Sequence, residues 1–361
     1  MAHFWESGFV VREQAWHGLA TVLDKAPTTA EALRQSQLDW HVNLTPVFAM
    51  PGMAPELAEK NGIAAAPLSD ALYCDDARAM VREIHQKDGT LRSDVLGMVG
   101  TRYCPLHNTD AFRWFDPLCA DGSVELESAG SVKGGRHVWI LARIATKPLQ
   151  VGRNPQDVAT PYLLLSNSHD GSRAVTVAFT PIRVVCWNTL SAANRQADKR
   201  GASSRKVRHT AAAANTLAGV RETISLESRN FEAKALLWRE LAKTDVARPY
   251  SQELARQVSR YARIVFGSPA VVAKHREDGT LADLPEVRAE SHLWELVHKG
   301  PGADSAGVSP FGLYMAATHY SDHQNGHTAE TRLASTWFGA GAQVRERAEA
   351  AALELAGMGA T

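Results

Sequence analysis

Two hydrophobic periodicities divide the chain. From Tyr73 to about Cys186, apolar and polar residues alternate, or form short apolar blocks, between Gly-, Asp- and Asn-containing breaks, which is the pattern of strands. Ala79 to His85 leads through Lys87-Asp88-Gly89-Thr90 into Val95 to Tyr103, and an Asp-Gly between β-like runs predicts a hairpin. Val124 to Lys133 and His137 to Ile144 flank Gly134-Gly135, a second hairpin candidate. Tyr162 to Ser166 and Arg173 to Thr180 flank the polar stretch Asn167-Ser168-His169-Asp170-Gly171-Ser172, a third. In the last arm Val175, Val177 and Phe179 alternate with Thr176, Ala178 and Thr180, so one face of that strand enters a core.

Before this region, Thr28-Thr29-Ala30-Glu31 reads as a capping box opening a short helix to about Gln37. Leu38 to Asn43 and Leu44 to Met50 read as two β-like runs, and Pro51 to Leu68 as an irregular stretch. Asn108-Thr109-Asp110 would cap a helix through Ala120 whose Phe112, Trp114 and Phe115 pack on the sheet. After Asn188 the period lengthens. Ala211 to Lys243, Ser251 to Phe266, Ser291 to His298, Phe311 to His323 and Ala342 to Leu355 all read as helical, with Gly300 to Gly307 as a loop. The expected fold class is therefore α+β: an antiparallel, hairpin-rich sheet with packed helices over residues 1–200, followed by a mostly helical region, 201–361.

Composition narrows the chemistry. Lys+Arg and Asp+Glu both number 39, so a polyanionic partner would have to be met by a local concentration of cations. No run approaches the roughly 18 apolar residues of a membrane span. The start, Met1-Ala2-His3-Phe4-Trp5, lacks a signal-peptide pattern, so a cytoplasmic protein without a membrane partner is expected. Cys74, Cys104, Cys119 and Cys186 lie far apart with no Cys-x-x-Cys pair, which suits reduced, packed thiols rather than a disulfide scaffold or zinc ribbon.

The block from Thr180 to Ser191 is the most informative. An apolar strand ends at Arg183, and Cys186-Trp187-Asn188-Thr189 follows, so a helix starting near Asn188 would offer exposed N–H groups to a phosphate or carboxylate. Arg183 would add a two-pronged contact. In the alternative reading Asn188 is an ordinary N-cap, Cys186 is core and Arg183 pairs with a local acid. Arg195, Lys199, Arg200, Arg205, Lys206 and Arg208 then face the single acid Asp198, around Gly201-Ala202-Ser203-Ser204, which reads as a mobile cationic loop suited to backbone phosphates. Trp139 or Trp187 beside such a groove would let bases stack. His319, His323 and His327 recur at intervals of four, the spacing of a metal site on one helix face, although Asn325-Gly326 would end that helix first. His169-Asp170 lies in a turn-like stretch, where hydrogen-bonding turn residues are the expectation. Phosphate-loop, dinucleotide, nucleophile-elbow and zinc-protease signatures are missing.

Several blocks together resemble the phage/plasmid-like protein family built around a domain of unknown function. They are Arg12 to Leu19, Asp39-Trp40, Val99-Gly100-Thr101-Arg102-Tyr103-Cys104-Pro105-Leu106-His107-Asn108, Gly134 to Trp139, Ser166 to Ser172, Arg183 to Leu190 and Arg208-His209-Thr210. Pro310 to Tyr314 and Tyr320 to His323 look like the family's late helix motif. The resemblance implies proteins carried by phages, plasmids and integrated elements, with their biochemistry left open. The hairpin–helix–hairpin order of Ala79 to Thr180 is also similar to the core of Rad52-type single-strand annealing proteins, which would imply rings or filaments of identical subunits.

The leading expectation is a protein that binds single-stranded DNA and anneals or protects it. Arg183, Arg195, Lys199, Arg200, Arg205, Lys206 and Arg208 would contact phosphates, with Trp187 and Asn188 beside them, and neither cofactor nor metal would be needed. The rivals are an enzyme centred on Cys186 with His169 or His209, or on a His319/His323 metal site, and a module whose helical half binds a host protein complex.

Overall fold

The structure, a computed structural model, describes residues 5–11, 20–49, 71–85, 88–183, 185, 188–189, 204–210, 223–267, 285–325, 328, 332, 335–336 and 340–358. The strands are β1 (Trp5–Val11), β2 (Thr21–Leu23), β3 (His41–Ala49), β4 (Leu72–His85), β5 (Leu91–Gly100), β6 (Val124–Val132), β7 (His137–Ile144), β8 (Leu149–Gln150), β9 (Val158–Ser168), β10 (Val175–Arg183), β11 (Asn188–Thr189) and β12 (Ser204–Val207). The helices are α1 (Thr29–Gln35), α2 (Asn108–Arg113), α3 (Asp116–Ala120), α4 (Thr223–Lys243), α5 (Gln252–Phe266), α6 (Pro285–Lys299), α7 (Ala303–Ala306), α8 (Pro310–His319) and α9 (Ala340–Leu355), with a π-helical turn at Tyr320–Gln324.

The class is α+β, built on two sheets. The larger runs β11-β10-β9-β7-β6-β1-β2, with β12 added to β10 and β8 to β9; the smaller is β3-β4-β5. The larger sheet is mixed because β1 and β2 run parallel. All three expected hairpins form, as β4–β5, β6–β7 and β9–β10, each antiparallel. The capping box also forms. Glu31 N–H meets the Thr28 hydroxyl at 3.3 Å, and the Thr28 N–H donates to the Glu31 carboxylate at 2.9 Å. Ser251 caps α5 by accepting from the Leu254 N–H at 3.1 Å.

Several elements differ from the expectation, each for a local reason. The two runs of 38–50 merge into the single strand β3, since no turn residue separates Asn43 from Leu44 and β4 pairs across both. The helix expected from Asn108 to Ala120 is broken in two, because Pro117 cannot donate to the preceding turn and instead opens α3. Asn188-Thr189 is a short strand on β10, and the helix start expected there does not form. Of the segment expected as a mobile cationic loop, Ser204–Val207 is a strand paired with β10. Gly300 to Gly307 contains the one-turn helix α7, and α6 begins at Pro285, earlier than the expected Ser291. Residues 51–68, 211–222 and His327 lie outside the described residues.

Strands β7 and β9 are buried almost throughout, so both faces of the larger sheet are covered there. On one face Val132, Trp139, Leu141, Tyr162, Leu164 and Ile182 form a small apolar cluster. On the other, the main core runs without a break from Phe9 through Ile140, Leu163 and Phe179 into the helices. Phe179 meets Phe231 at 5.9 Å between ring centroids, and Phe231 meets Trp238 at 6.4 Å, which joins β10 to α4. Each such buried ring contributes about 1.5–3 kcal/mol of hydrophobic stabilisation.

One buried ion pair fastens the sheet to the helices. Arg183, at the end of β10, is 0% exposed. Its Nε donates to Asp157 at 2.8 Å, its Nη2 donates to the other Asp157 oxygen and to the Gly302 carbonyl at 2.9 Å, and its guanidinium lies 5.3 Å over the Phe311 ring. Gly302 has φ 72°, and a Cβ there would stand 2.8 Å from the Arg183 Nη2, so the junction requires glycine on both counts. Arg153 adds a second clasp, donating to the Ala242 carbonyl and to Asp245, each at 2.6 Å. Within the helical part, Glu349 accepts from Lys234 at 3.0 Å and from the Trp238 indole at 2.9 Å, tying α9 to α4.

Removing one partner of a buried pair strands the other charge, whereas replacing both with apolar groups need not cost stability. Asp157→Ala is therefore expected to lose about 3–5 kcal/mol in denaturant unfolding, and Arg183→Met with Asp157→Leu to recover most of it. Equal losses in the single and double variants would contradict this role.

Candidate nucleic-acid interface

The sequence blocks that are far apart in the chain meet at one end of the larger sheet. Loop 169–174, between β9 and β10, lies against β5, where a Cβ on Gly97 would come within 2.6 Å of the Asp170 Cα; only glycine admits that approach. The loop is fastened on both sides. The His169 N–H donates to the Arg136 carbonyl at 2.7 Å, the Tyr103 hydroxyl donates to the Ser168 carbonyl at 2.8 Å, and the Cys104 N–H donates to the His209 carbonyl at 3.1 Å. Tyr103 and His209 stack with centroids 4.5 Å apart.

The alternation of β9 carries on into the first loop residues, so His169 and Asp170 join two separate polar networks. On one face His169 is fully buried, edge-on to Trp40 at 5.1 Å. The Asn108 amide donates to the Leu38 carbonyl at 3.0 Å, leaving its oxygen to accept from His169 Nε2 at 2.9 Å. That assignment puts the proton on Nε2 and leaves Nδ1, which has no hydrogen-bond partner among the described residues, as a lone pair. Burial, reinforced by His209 and His107, pulls His169 down to about 3, and burial also lowers His209. On the opposite face, Asp170 accepts from the Ser168 hydroxyl at 2.8 Å and the Ser172 N–H at 2.9 Å, and lies 3.2 Å from His137 Nε2. Burial alone would raise this carboxyl, but the hydrogen bonds from His137, Ser172 and Ser168 outweigh it and hold it well below the usual range. His169 and Asp170 thus serve separate networks, as hydrogen-bonding residues of a turn.

Cations ring this end. Arg102 follows β5, Lys133 and Arg136 belong to the β6–β7 turn, Arg173 to the β9–β10 loop, and Lys206 and Arg208 to β12 and its exit; all six are exposed. None of the six forms an ion pair among the described residues. The strand order β7-β9-β10-β12 sets Arg136 and Arg208 three strand spacings apart, about 15 Å across the sheet end. Asp170, the acid of the central loop, is committed to His137.

The residues picked out in the sequence distribute unevenly around this site. Lys206 and Arg208 lie on its rim. Arg183 sits at the far end of β10, buried and paired with Asp157, which is the local-acid reading of that residue. Trp139 is 1% exposed, its indole donating to Ser128, so its ring has no open face for a base. Asn188 and Arg205 occupy strands but their side chains are not among those described, and Cys186, Trp187, Arg195, Lys199 and Arg200 lie outside the described residues. His319 and His323 approach to 4.4 Å between ring centroids, with burial lowering His319 to about 4. Among the described residues no group of three or more His, Cys, Asp or Glu is placed to hold a metal ion, and no helix is long and apolar enough to cross a membrane. Cys74, Cys104 and Cys119 are free thiols, and burial raises Cys119 to about 11. Reading the sequence for contiguous charge missed Arg102, Lys133, Arg136 and Arg173, whose only signal is that each is a lone cation in or beside a turn.

The arrangement defines an α+β protein whose larger sheet ends in a basic rim over buried polar networks. The family model described as Domain of unknown function (DUF932) matches residues 95–351, and the chain belongs to that family. No curated protein and no solved structure matches the chain.

A histidine held neutral by burial binds its proton only when the chain unfolds, so His169 adds stability that is complete above pH 6.5 and is lost as pH falls from there towards 3. Unfolding free energy is expected to drop with acidification below pH 6.5. In His169→Gln the slope should be shallower by up to one proton, about 1.4 kcal/mol per pH unit. Identical slopes in the two proteins would contradict the assignment.

Proposed function

We propose that the basic rim binds the phosphate backbone of single-stranded DNA. The observation that carries this reading is the set of six exposed cations, without an ion pair among the described residues, that three turns and an edge strand bring to one end of the sheet of a chain with no net charge. Lys206 and Arg208 extend the rim along the edge strand β12, and in the sequence they follow closely on Arg195, Lys199, Arg200 and Arg205, which would add further phosphate contacts. A strand held by its phosphates keeps its bases free, so protecting or annealing DNA would need neither nucleotide nor metal.

The setting is proposed by analogy. The resemblance to phage- and plasmid-borne proteins supports a role in the recombination or replication of a mobile element in the cytoplasm. The likeness in element order to Rad52-type annealing proteins supports assembly of identical subunits.

The test is fluorescence anisotropy with a labelled thymidine oligonucleotide at rising salt. Each phosphate neutralised on a single strand adds about 0.7 to the slope of log affinity against log salt, so Lys206→Ala with Arg208→Ala is expected to flatten that slope by about 1.4. Lys206→Glu with Arg208→Glu should weaken binding by at least roughly tenfold at moderate salt. Undetectable binding at micromolar protein, or binding indifferent to salt and to both pairs of changes, would end this reading.

A further inference from the structure

A second site lies in the helical half, away from the basic rim. A cleft of about 550 Å³ opens where the chain between α4 and α5 passes the ends of α6 and α7, with Val297 and Val308 among its lining residues. That volume is within the range of sites that hold a small organic ligand. At its mouth stands Tyr250, 65% exposed and in the left-handed backbone region at φ 57°. An aromatic residue rarely adopts that conformation, and glycine would hold it without strain.

Tyr250 is held there by a specific arrangement. Its ring stacks on His298 at 4.0 Å between centroids and 20° between planes, with Trp294 edge-on at 6.2 Å. Its N–H donates to His298 Nε2 at 3.3 Å, while His298 Nδ1 donates to the Trp294 carbonyl at 2.7 Å, which fixes the imidazole in place and sets its tautomer. His298 covers one face of the phenol ring, and the ring, exposed and lining the cleft, keeps open surface for a ligand. A strained, exposed aromatic with one braced face is a poor choice for stability and a good one for stacking a flat ligand.

The charged groups around the cleft complete the match. Arg153 is engaged by Asp245 and the Ala242 carbonyl, so its charge is already balanced. Arg248, two residues before Tyr250, is exposed and forms no ion pair among the described residues. Asp304, which also lines the cleft, is exposed and likewise has no cationic partner among them. The geometry points to a nucleotide: a base stacked on the open face of Tyr250, sugar hydroxyls donating to Asp304, and phosphate on Arg248. This site stands independently of the basic rim and would take either a free nucleotide or one nucleotide of a bound strand.

The experiment is calorimetric titration of the full chain with AMP, adenosine and a short oligonucleotide. AMP is expected to bind saturably, more tightly than adenosine, and Arg248→Ala to erase that preference. Tyr250→Gly should weaken AMP binding at least about fivefold, as loss of a stacked base does, while Tyr250→Phe keeps it. Because glycine relieves the left-handed strain, Tyr250→Gly should melt no lower than the parent protein, which separates loss of binding from loss of fold. If AMP fails to bind but the oligonucleotide binds in a Tyr250-dependent way, the site holds and its nucleotide comes from a strand. If Tyr250→Gly changes neither AMP nor oligonucleotide binding, the inference is overturned. Sensitivity of oligonucleotide binding to Lys206→Glu with Arg208→Glu would then still stand for the rim.

Discussion

A guanidinium with no exposure to water dictates how the two halves of this chain meet. Arg183 cannot lie unpaired among apolar side chains, since a stranded buried charge costs several kcal/mol. Asp157, the Gly302 carbonyl and the Phe311 ring are all drawn to it. That convergence places α7 and the start of α8 against the end of β10, and Arg153 secures the neighbouring turn to α4 and Asp245. The walls of the Tyr250 cleft are built from these same segments, so the cleft is a by-product of the clasp. The basic rim occupies the opposite end of β10, where the strand leaves the clasp and meets β12 through Val175 and Val207.

The two ends of β10 illustrate opposite solutions to charge in a sheet. At the Arg183 end, charge is buried and neutralised at close range, which fixes structure. At the other end, the histidines are buried and the Asp170 carboxylate is partly buried, each engaged in hydrogen bonds, and exposed cations stand on the turns around them. The hydrogen bonds of His169 and Asp170 fasten the loop to its neighbours, so the backbone that carries Arg136 and Arg173 is held in place at the sheet end. Rigid placement of unpaired cations is what a polyanion rewards, because each contact releases counterions without first breaking an ion pair.

Local chemistry was legible in the sequence and long-range pairing was not. The Asp88-Gly89 and Gly134-Gly135 breaks, the polar stretch 167–172 and the Thr28/Glu31 box all act within a few residues, and each produced the element it predicts. Asn188 looked like a helix start because it is a good cap, yet backbone pairing with Arg183 took it into the sheet. Trp139 looked available for stacking because an isolated strand cannot show that both its faces are covered. Arg183 had the same problem: its partner Asp157 lies 26 residues away on the neighbouring strand's approach. Only two of the six rim cations were visible, since Lys206 and Arg208 belong to a charged run while Arg102, Lys133, Arg136 and Arg173 are brought together only by strand order. Tyr250 gave no sequence signal at all; its backbone conformation is what marks it.

The central claim is that nucleic acid lies across the rim at the β9–β10 loop. Photo-crosslinking of the intact protein to a thiothymidine-containing oligonucleotide, followed by peptide mapping, locates the strand directly. The account predicts adducts in the peptides carrying Arg102, Arg136, Arg173 and Lys206–Arg208, lost on raising the salt. Adducts confined to other surfaces, with these peptides unmodified, would contradict it.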